Sequence, residues 1–84
     1  MKIIFLDEAR EDYLYWQNTD KATLKKINSL VKEIDRTPFE GSGKPEALKY
    51  NLSGLWSRRI NLDHRLVYKI ESDAIVIHQC RYHY

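Results

Sequence analysis

Residues 55–83, LWSRRINLDHRLVYKIESDAIVIHQCRYH, decide the fold. Three runs in this stretch, at 55–60, 64–70 and 74–83, carry the apolar, β-branched and aromatic residues that favour strands. Only a few residues separate one run from the next, and connections this short join antiparallel neighbours. The stretch therefore predicts an antiparallel meander, preceded by a further short strand at about 47–49.

The chain before the meander predicts one strand and two helices. Residues 2–5 form a short apolar run, and Asp7 is placed to cap a first helix that extends to about Gln17. Helices that precede a run of strands favour a layered α+β fold. We therefore expect one α+β domain over residues 1–84, with an N-terminal strand and two helices packed on one face of an antiparallel β-sheet.

The second helix has the clearest helical pattern. Thr19 or Asp20 can cap its start, and Pro38 ends it because proline excludes helical geometry at the preceding residue. Its apolar positions recur at helical spacing, and they are Leu24, Ile27, Leu30, Val31 and Ile34. Residues 39–45 then form a loop that holds two of the three glycines. No helix follows this loop, so it is not expected to bind a nucleotide.

The composition indicates a small folded protein from a reducing compartment. Of the 84 residues 43% are hydrophobic, with only 3 Gly and 2 Pro, which argues against disorder. The single cysteine, Cys80, cannot form an internal disulfide. The apolar run before Asp7 is too short for a signal peptide or a membrane span. We therefore expect a cytoplasmic protein that does not enter a membrane.

The positive charge lies in the second half of the chain. Residues 1–43 hold seven Lys/Arg and eight Asp/Glu, whereas residues 44–84 hold seven Lys/Arg and four Asp/Glu. The second half also contains all three histidines and the Arg58-Arg59 pair. An anionic partner for this half is one interpretation, and a solvated sheet face is the plainer one.

Two arginines are predicted to meet across neighbouring strands. If residues 61–63 form a three-residue loop, Arg59 lies opposite Arg65 and both point to one face of the sheet. The opposite face would then hold the more apolar set, namely Ile60, Leu66, Tyr68 and Ile70. Paired arginines repel one another, and a bound anion would offset that repulsion. The pair therefore indicates a candidate phosphate site, and the alternative is that one arginine turns into solvent or pairs with a carboxylate.

The remaining candidate groups lie on either side of the meander. Glu46, just after the loop, is a candidate general base, and Lys49 adds positive charge beside it. The last residues, 81–84 (RYHY), combine a histidine that can move protons with tyrosines that can stack on bases. We expect a functional role for this segment, with His83 as a candidate general acid. Taken alone, each of these residues is more often an ordinary surface residue.

A metal site at Cys80 and His83 is not expected. On a strand the spacing Cys-x-x-His places the two side chains on opposite faces. The chain has no second cysteine, and its other histidines, His64 and His78, are scattered. The sequence therefore predicts neither a metal nor another cofactor.

A family resemblance covers essentially the whole chain. The sequence resembles the YoeB toxins, which belong to the RelE superfamily of bacterial toxin–antitoxin pairs. The matching stretches are 12–16 (DYLYW), 36–41 (RTPFEG), 43–46 (GKPE), 48–49 (LK), 51–54 (NLSG), 56–60 (WSRRI), 64–68 (HRLVY) and 80–84 (CRYHY). Several of these would be weak singly, and together they are highly specific.

The resemblance implies a ribosome-dependent endoribonuclease that cuts mRNA in the ribosomal A site and so inhibits translation. It assigns catalysis to Glu46, Arg65 and His83, and supporting or substrate-binding roles to Lys49, Arg59 and Tyr84. It further implies neutralisation by a YefM-like antitoxin, repression of the operon by the pair through operator DNA, and a toxin homodimer. The RelE-like fold that it implies agrees with the order of elements predicted above.

Two other functions remain open from the residues alone. A binding module that blocks translation by occupying RNA without cutting it would use the same arginines. A purely protein-interacting partner would need none of the acid–base residues. Retained inhibition without Glu46 or His83 would favour the first, and absence of growth arrest would favour the second.

Overall fold

The sheet is the organising element of this computed structural model, which describes all 84 residues. Its five strands lie in the order β1-β5-β4-β3-β2. In chain order the elements are β1 (Lys2–Phe5), α1 (Asp7–Thr19), α2 (Lys21–Arg36), β2 (Glu46–Ala47), a 3-10 turn (Tyr50–Leu52), β3 (Trp56–Arg59), β4 (Arg65–Glu71) and β5 (Ala74–Gln79). This confirms the predicted α+β class and the order of its elements. Neither helix is long and apolar enough to cross a membrane.

The sheet is mixed, which corrects the expectation of an antiparallel sheet throughout. Strands β2 to β5 form the predicted antiparallel meander. Strand β1 instead runs parallel to β5, with Ile3 opposite Ile75 and Phe5 opposite Ile77. Parallel neighbours need a long crossover connection. Here the chain between β1 and β5 contains both helices and the other three strands.

The core lies between the helices and one face of the sheet. Ile27, Leu30 and Ile34 of α2 are almost completely buried there, as their helical spacing predicts. From the sheet, the predicted apolar set faces the same core: Ile60, Leu66 and Tyr68 are buried in it, and Ile70 packs against it. The opposite face of β3 and β4 is free of helices, and we call it the open face.

Three predicted element boundaries are wrong. Leu6 rather than Asp7 occupies the N-cap of α1, and it makes no side-chain capping bond, while Asp7 lies in the first turn. The short second strand covers Glu46–Ala47 instead of residues 47–49. Strand β5 ends at Gln79 instead of continuing to residue 83. By contrast, the alternative cap Asp20 is confirmed, since its carboxylate accepts the backbone N–H of Thr23 at 3.1 Å.

Candidate active site

A polar depression of about 380 Å³ opens on the open face where β2 and β3 meet the end of the chain. It is lined by Lys44, Pro45, Glu46, Ser57, Arg59, Arg65, His83 and Tyr84. Five of the six residues that were singled out from the sequence therefore come together. The sixth, Lys49, lines a neighbouring depression that also touches Glu46 and Tyr84.

The two arginines of the depression lie opposite one another, as the three-residue loop predicts. Arg59 pairs with Arg65 in the ladder between β3 and β4. Neither guanidinium has a carboxylate within 4.0 Å. The two ion pairs of the protein join the Met1 amino group to Asp35 and Arg58 to Glu33. The Arg65 Nη1 group donates to the carbonyl oxygens of Asn61 at 2.7 Å and His64 at 3.0 Å. The loop thus orients one cation, and both cations lack a protein counter-ion.

The carboxylate of Glu46 is held at the other side of the depression. The Tyr84 hydroxyl donates to Glu46 Oε1 at 3.0 Å, and it accepts a hydrogen bond from Ser57 Oγ at 3.3 Å. Ser57 lies directly opposite Glu46 in the β2–β3 ladder. Ser57 is not among the residues singled out from the sequence, although strand alternation places it on the same face as Arg59 and could have indicated it.

Helix α1 determines where β5 stops and the last residues leave the sheet. The Asp12 carboxylate accepts the Cys80 N–H at 3.1 Å, and Trp16 Nε1 donates to the Cys80 carbonyl at 2.8 Å. Both backbone groups of Cys80 are therefore bound by side chains, and they cannot continue the ladder. An extra residue in β5, opposite the step from Val67 to Tyr68, forms a bulge just before this point.

Burial at this junction changes two proton affinities. Burial raises the pKa of Asp12 above its usual value, although the hydrogen bond from Cys80 acts in the opposite direction. Burial, together with the negative charge of Asp12, raises the pKa of the Cys80 thiol to about 12. Cys80 is thus a neutral core residue, but it lies just after the end of β5, which corrects its interpretation as a strand residue. Its side chain lies in the core, whereas His83 lines the depression, and no cluster of three potential metal ligands occurs in the protein.

Arg58 is a structural residue, and of the Arg58-Arg59 pair only Arg59 lines the depression. The Arg58 side chain is fully buried on the helix side of the sheet. Its Nη2 donates to the carbonyl oxygens of Thr37 at 2.6 Å and Glu40 at 2.8 Å, and its Nη1 lies 3.4 Å from the Glu33 carboxylate. The guanidinium therefore binds the loop after α2 and is not accessible to a partner.

The same loop delivers Glu46 to the depression. Gly43 accepts the backbone N–H of Arg59 at 2.6 Å and has a φ of +82°. A Cβ at this position would lie 3.0 Å from the Arg59 carbonyl and 3.1 Å from the Arg58 Cβ. Only glycine combines this close approach with a left-handed conformation at low cost.

The comparisons with known proteins agree over the whole chain. Residues 5–84 match the family described as YoeB-like toxin of bacterial type II toxin-antitoxin system. The chain is 62% identical to Toxin YoeB of Escherichia coli strain K12, with both chains covered completely. It superposes on YoeB in a heterotetrameric YoeB–YefM complex from Staphylococcus aureus with a TM-score of 0.93. A YoeB dimer from the same organism gives a TM-score of 0.94, and both structures are 54% identical over 100% of this chain and 98% of theirs.

The fold and the full-length similarity are thus those of a toxin from a bacterial toxin–antitoxin pair. The chain belongs to the YoeB-like toxin family of type II systems.

Proposed function

We propose that this protein is an endoribonuclease toxin that cuts mRNA in the ribosomal A site. One observation carries the proposal: a carboxylate, an imidazole and two guanidinium groups without counter-ions line the same depression. General acid–base cleavage of a phosphodiester requires a base, an acid and positive charge near the phosphoryl oxygens. Glu46, His83 and the pair Arg59 and Arg65 supply these three functions.

The proposed reaction is an internal transfer of the phosphoryl group. Glu46 accepts the proton of a ribose 2′-OH, and the 2′-oxygen attacks the adjacent phosphorus. Arg65 and Arg59 stabilise the negative charge that develops on the non-bridging oxygens. His83 donates a proton to the departing 5′-oxygen as the P–O5′ bond breaks. The products are a 2′,3′-cyclic phosphate and a 5′-OH, and the scheme requires no metal ion.

Tyr84 and Lys49 act in support. The hydrogen bond from Tyr84 orients the Glu46 carboxylate before the substrate enters, and the exposed part of its ring can stack on a base. Lys49 lines the neighbouring depression that Glu46 and Tyr84 also line, and it would add to the positive field along the path of the RNA.

Family membership supports the proposed partners. Staphylococcus aureus YoeB forms a heterotetrameric complex with YefM and also a dimer. We propose that a YefM-like antitoxin neutralises this chain, that the pair represses its operon through operator DNA bound by the antitoxin, and that the toxin forms a homodimer. The ribosome would hold the codon in a reactive position, and a cytoplasmic location accords with this target.

Primer extension on mRNA in a purified translation system tests the nuclease. Wild type is compared with Glu46→Gln and His83→Ala, while Glu71→Gln and His78→Ala are matched controls outside the depression. We expect cuts within the A-site codon for wild type and both controls, and a loss of about 100-fold or more for each site variant.

The same experiment separates the alternative function. Intact mRNA together with arrested translation would contradict the nuclease and support a toxin that blocks the ribosome by binding alone. Fragments that end in a 3′-OH would contradict attack by the 2′-oxygen.

A further inference from the structure

His64 holds the backbone of the residue that precedes His83. The Tyr82 N–H donates to His64 Nδ1 at 2.7 Å. The Tyr82 carbonyl accepts the N–H of Arg65 at 3.0 Å. His64, just before β4, and Arg65, its first residue, thus bind both polar backbone groups of Tyr82.

Tyr82 needs this support because its backbone is strained. Its φ is +67°, in the left-handed region that a residue with a side chain adopts at a cost of roughly 1 kcal/mol or more. Such a conformation persists only where surrounding contacts hold it. It turns the chain after β5, and the turn directs His83 and Tyr84 into the depression.

The imidazole of His64 is suited to accept this hydrogen bond. Its ring packs edge-on against Trp16, with the ring centroids 4.8 Å apart. Because Nδ1 accepts the Tyr82 N–H, the ring proton of the neutral imidazole lies on Nε2. Trp16 also binds the Cys80 carbonyl, so His64 connects the junction with α1 to the turn at Tyr82.

We propose that His64 is a positioning residue for His83: its Nδ1 fixes the left-handed turn at Tyr82, and that turn places His83 in the depression that Glu46 also lines. The catalytic part of this inference rests on the proposed function. His64 itself does not line the depression, so it acts through the backbone of Tyr82.

A purely structural role would act through the contact between His64 and Trp16 instead. Three substitutions separate the two roles. His64→Asn places an amide oxygen near the position of Nδ1 and removes the ring. His64→Gln carries the same amide to the position of Nε2, where it does not face the Tyr82 N–H. His64→Phe keeps a ring against Trp16 and removes the acceptor.

The test combines two measurements on the same variants. The first is single-turnover cleavage of mRNA on ribosomes that are saturated with toxin, and the second is thermal unfolding. We expect His64→Asn to retain the rate within about threefold, and His64→Gln and His64→Phe to lose about 10- to 100-fold, as expected for a misplaced catalytic group. Thermal stability should follow a different order, with His64→Phe above the two amide variants. Rates that follow stability, with Asn and Gln equally impaired, would overturn the proposal.

NMR of the free protein supplies a second readout that does not depend on cleavage. We expect the His64 Nδ1 signal of an unprotonated nitrogen, and slow hydrogen exchange of the Tyr82 amide in wild type and His64→Asn only. If wild type fails to cut RNA, the proposed function fails, and the Tyr82 amide still shows whether His64 holds the turn. Fast exchange of this amide in wild type would overturn the positioning role by itself.

Discussion

Arg58 and Arg59 are neighbours in the chain and lie on opposite faces of one strand, and their side chains differ in burial and in partners. On the helix side, Arg58 is fully buried, and it binds three backbone carbonyls, the Tyr68 hydroxyl and the Glu33 carboxylate. On the open face, Arg59 is exposed and makes no side-chain hydrogen bond or ion pair within the protein.

The difference between Arg58 and Arg59 shows that the partners of a charged side chain indicate its role better than the basic residues beside it in the sequence do. A guanidinium whose donors are bound to protein holds the structure together. One whose charge has no protein partner is available to a phosphate. Arg65 is intermediate, because Nη1 is bound to loop carbonyls while the side chain still lines the depression.

The largest effect is expected at Arg65, where the two roles overlap. In the proposed reaction Arg65→Met removes transition-state charge stabilisation, and we expect RNA cleavage to fall by about 100- to 1000-fold. Arg65→Lys keeps the charge without the planar fork and should recover only part of the rate. Single-turnover cleavage measures both variants. Full recovery by lysine would show that charge alone suffices at this position.

Arg58→Met should instead act on stability. Its loss leaves the loop carbonyls of Thr37 and Glu40 without their donor and creates a gap at a fully buried position, which costs about 3 kcal/mol. Urea unfolding measures this cost, and Arg59→Met is the matched control, expected to change stability by less than about 0.5 kcal/mol. Equal losses in the two variants would remove the distinction between the faces.

Gly43→Ala sharpens the comparison at the point where the loop touches both arginines. The added Cβ meets the Arg59 carbonyl and the Arg58 Cβ, and we expect a loss of about 1–3 kcal/mol with reduced cleavage. Gly54→Ala is the control, because Gly54 also has a positive φ, of +95°, but a Cβ added there would meet no atom within 4 Å. Thermal unfolding should therefore show the smaller loss for Gly54→Ala.

The smallest effect is expected at Asp12, whose carboxylate on α1 accepts the Cys80 N–H just after the end of β5. Its raised pKa means that the folded protein binds this proton more tightly than the unfolded chain does. Its contribution to stability therefore declines as pH rises from the ordinary carboxyl range through the raised pKa. Asp12→Asn keeps an acceptor for Cys80 and should lack this decline. Urea unfolding from acid to neutral pH measures it, and parallel profiles for both proteins would contradict the assignment.

Much of the fold follows from local patterns. The helical spacing of α2, the cap at Asp20 and the stop near Pro38 are all encoded within a few residues. The three-residue loop sets the register that places Arg59 opposite Arg65, as predicted. These features need no distant contact, which explains why sequence alone was sufficient for them.

The features that the sequence did not reveal depend on distant contacts. The end of β5 is determined by Asp12 and Trp16, which are more than sixty residues away from Cys80. The burial of Arg58 depends on carbonyls of a loop that it meets only in the folded chain. The six candidate site residues were indicated by local sequence patterns and by the family resemblance. Their catalytic roles stay predictions.

The most direct test of the central claim uses an mRNA with a single 2′-deoxy nucleotide at the position that wild type cuts. In the proposed reaction Glu46 activates the ribose 2′-OH, and the open face stabilises the resulting charge. Cleavage should therefore disappear at the substituted nucleotide, while unmodified mRNA in the same reaction yields a 2′,3′-cyclic phosphate. Cleavage of the 2′-deoxy mRNA at the same site and rate would contradict this mechanism.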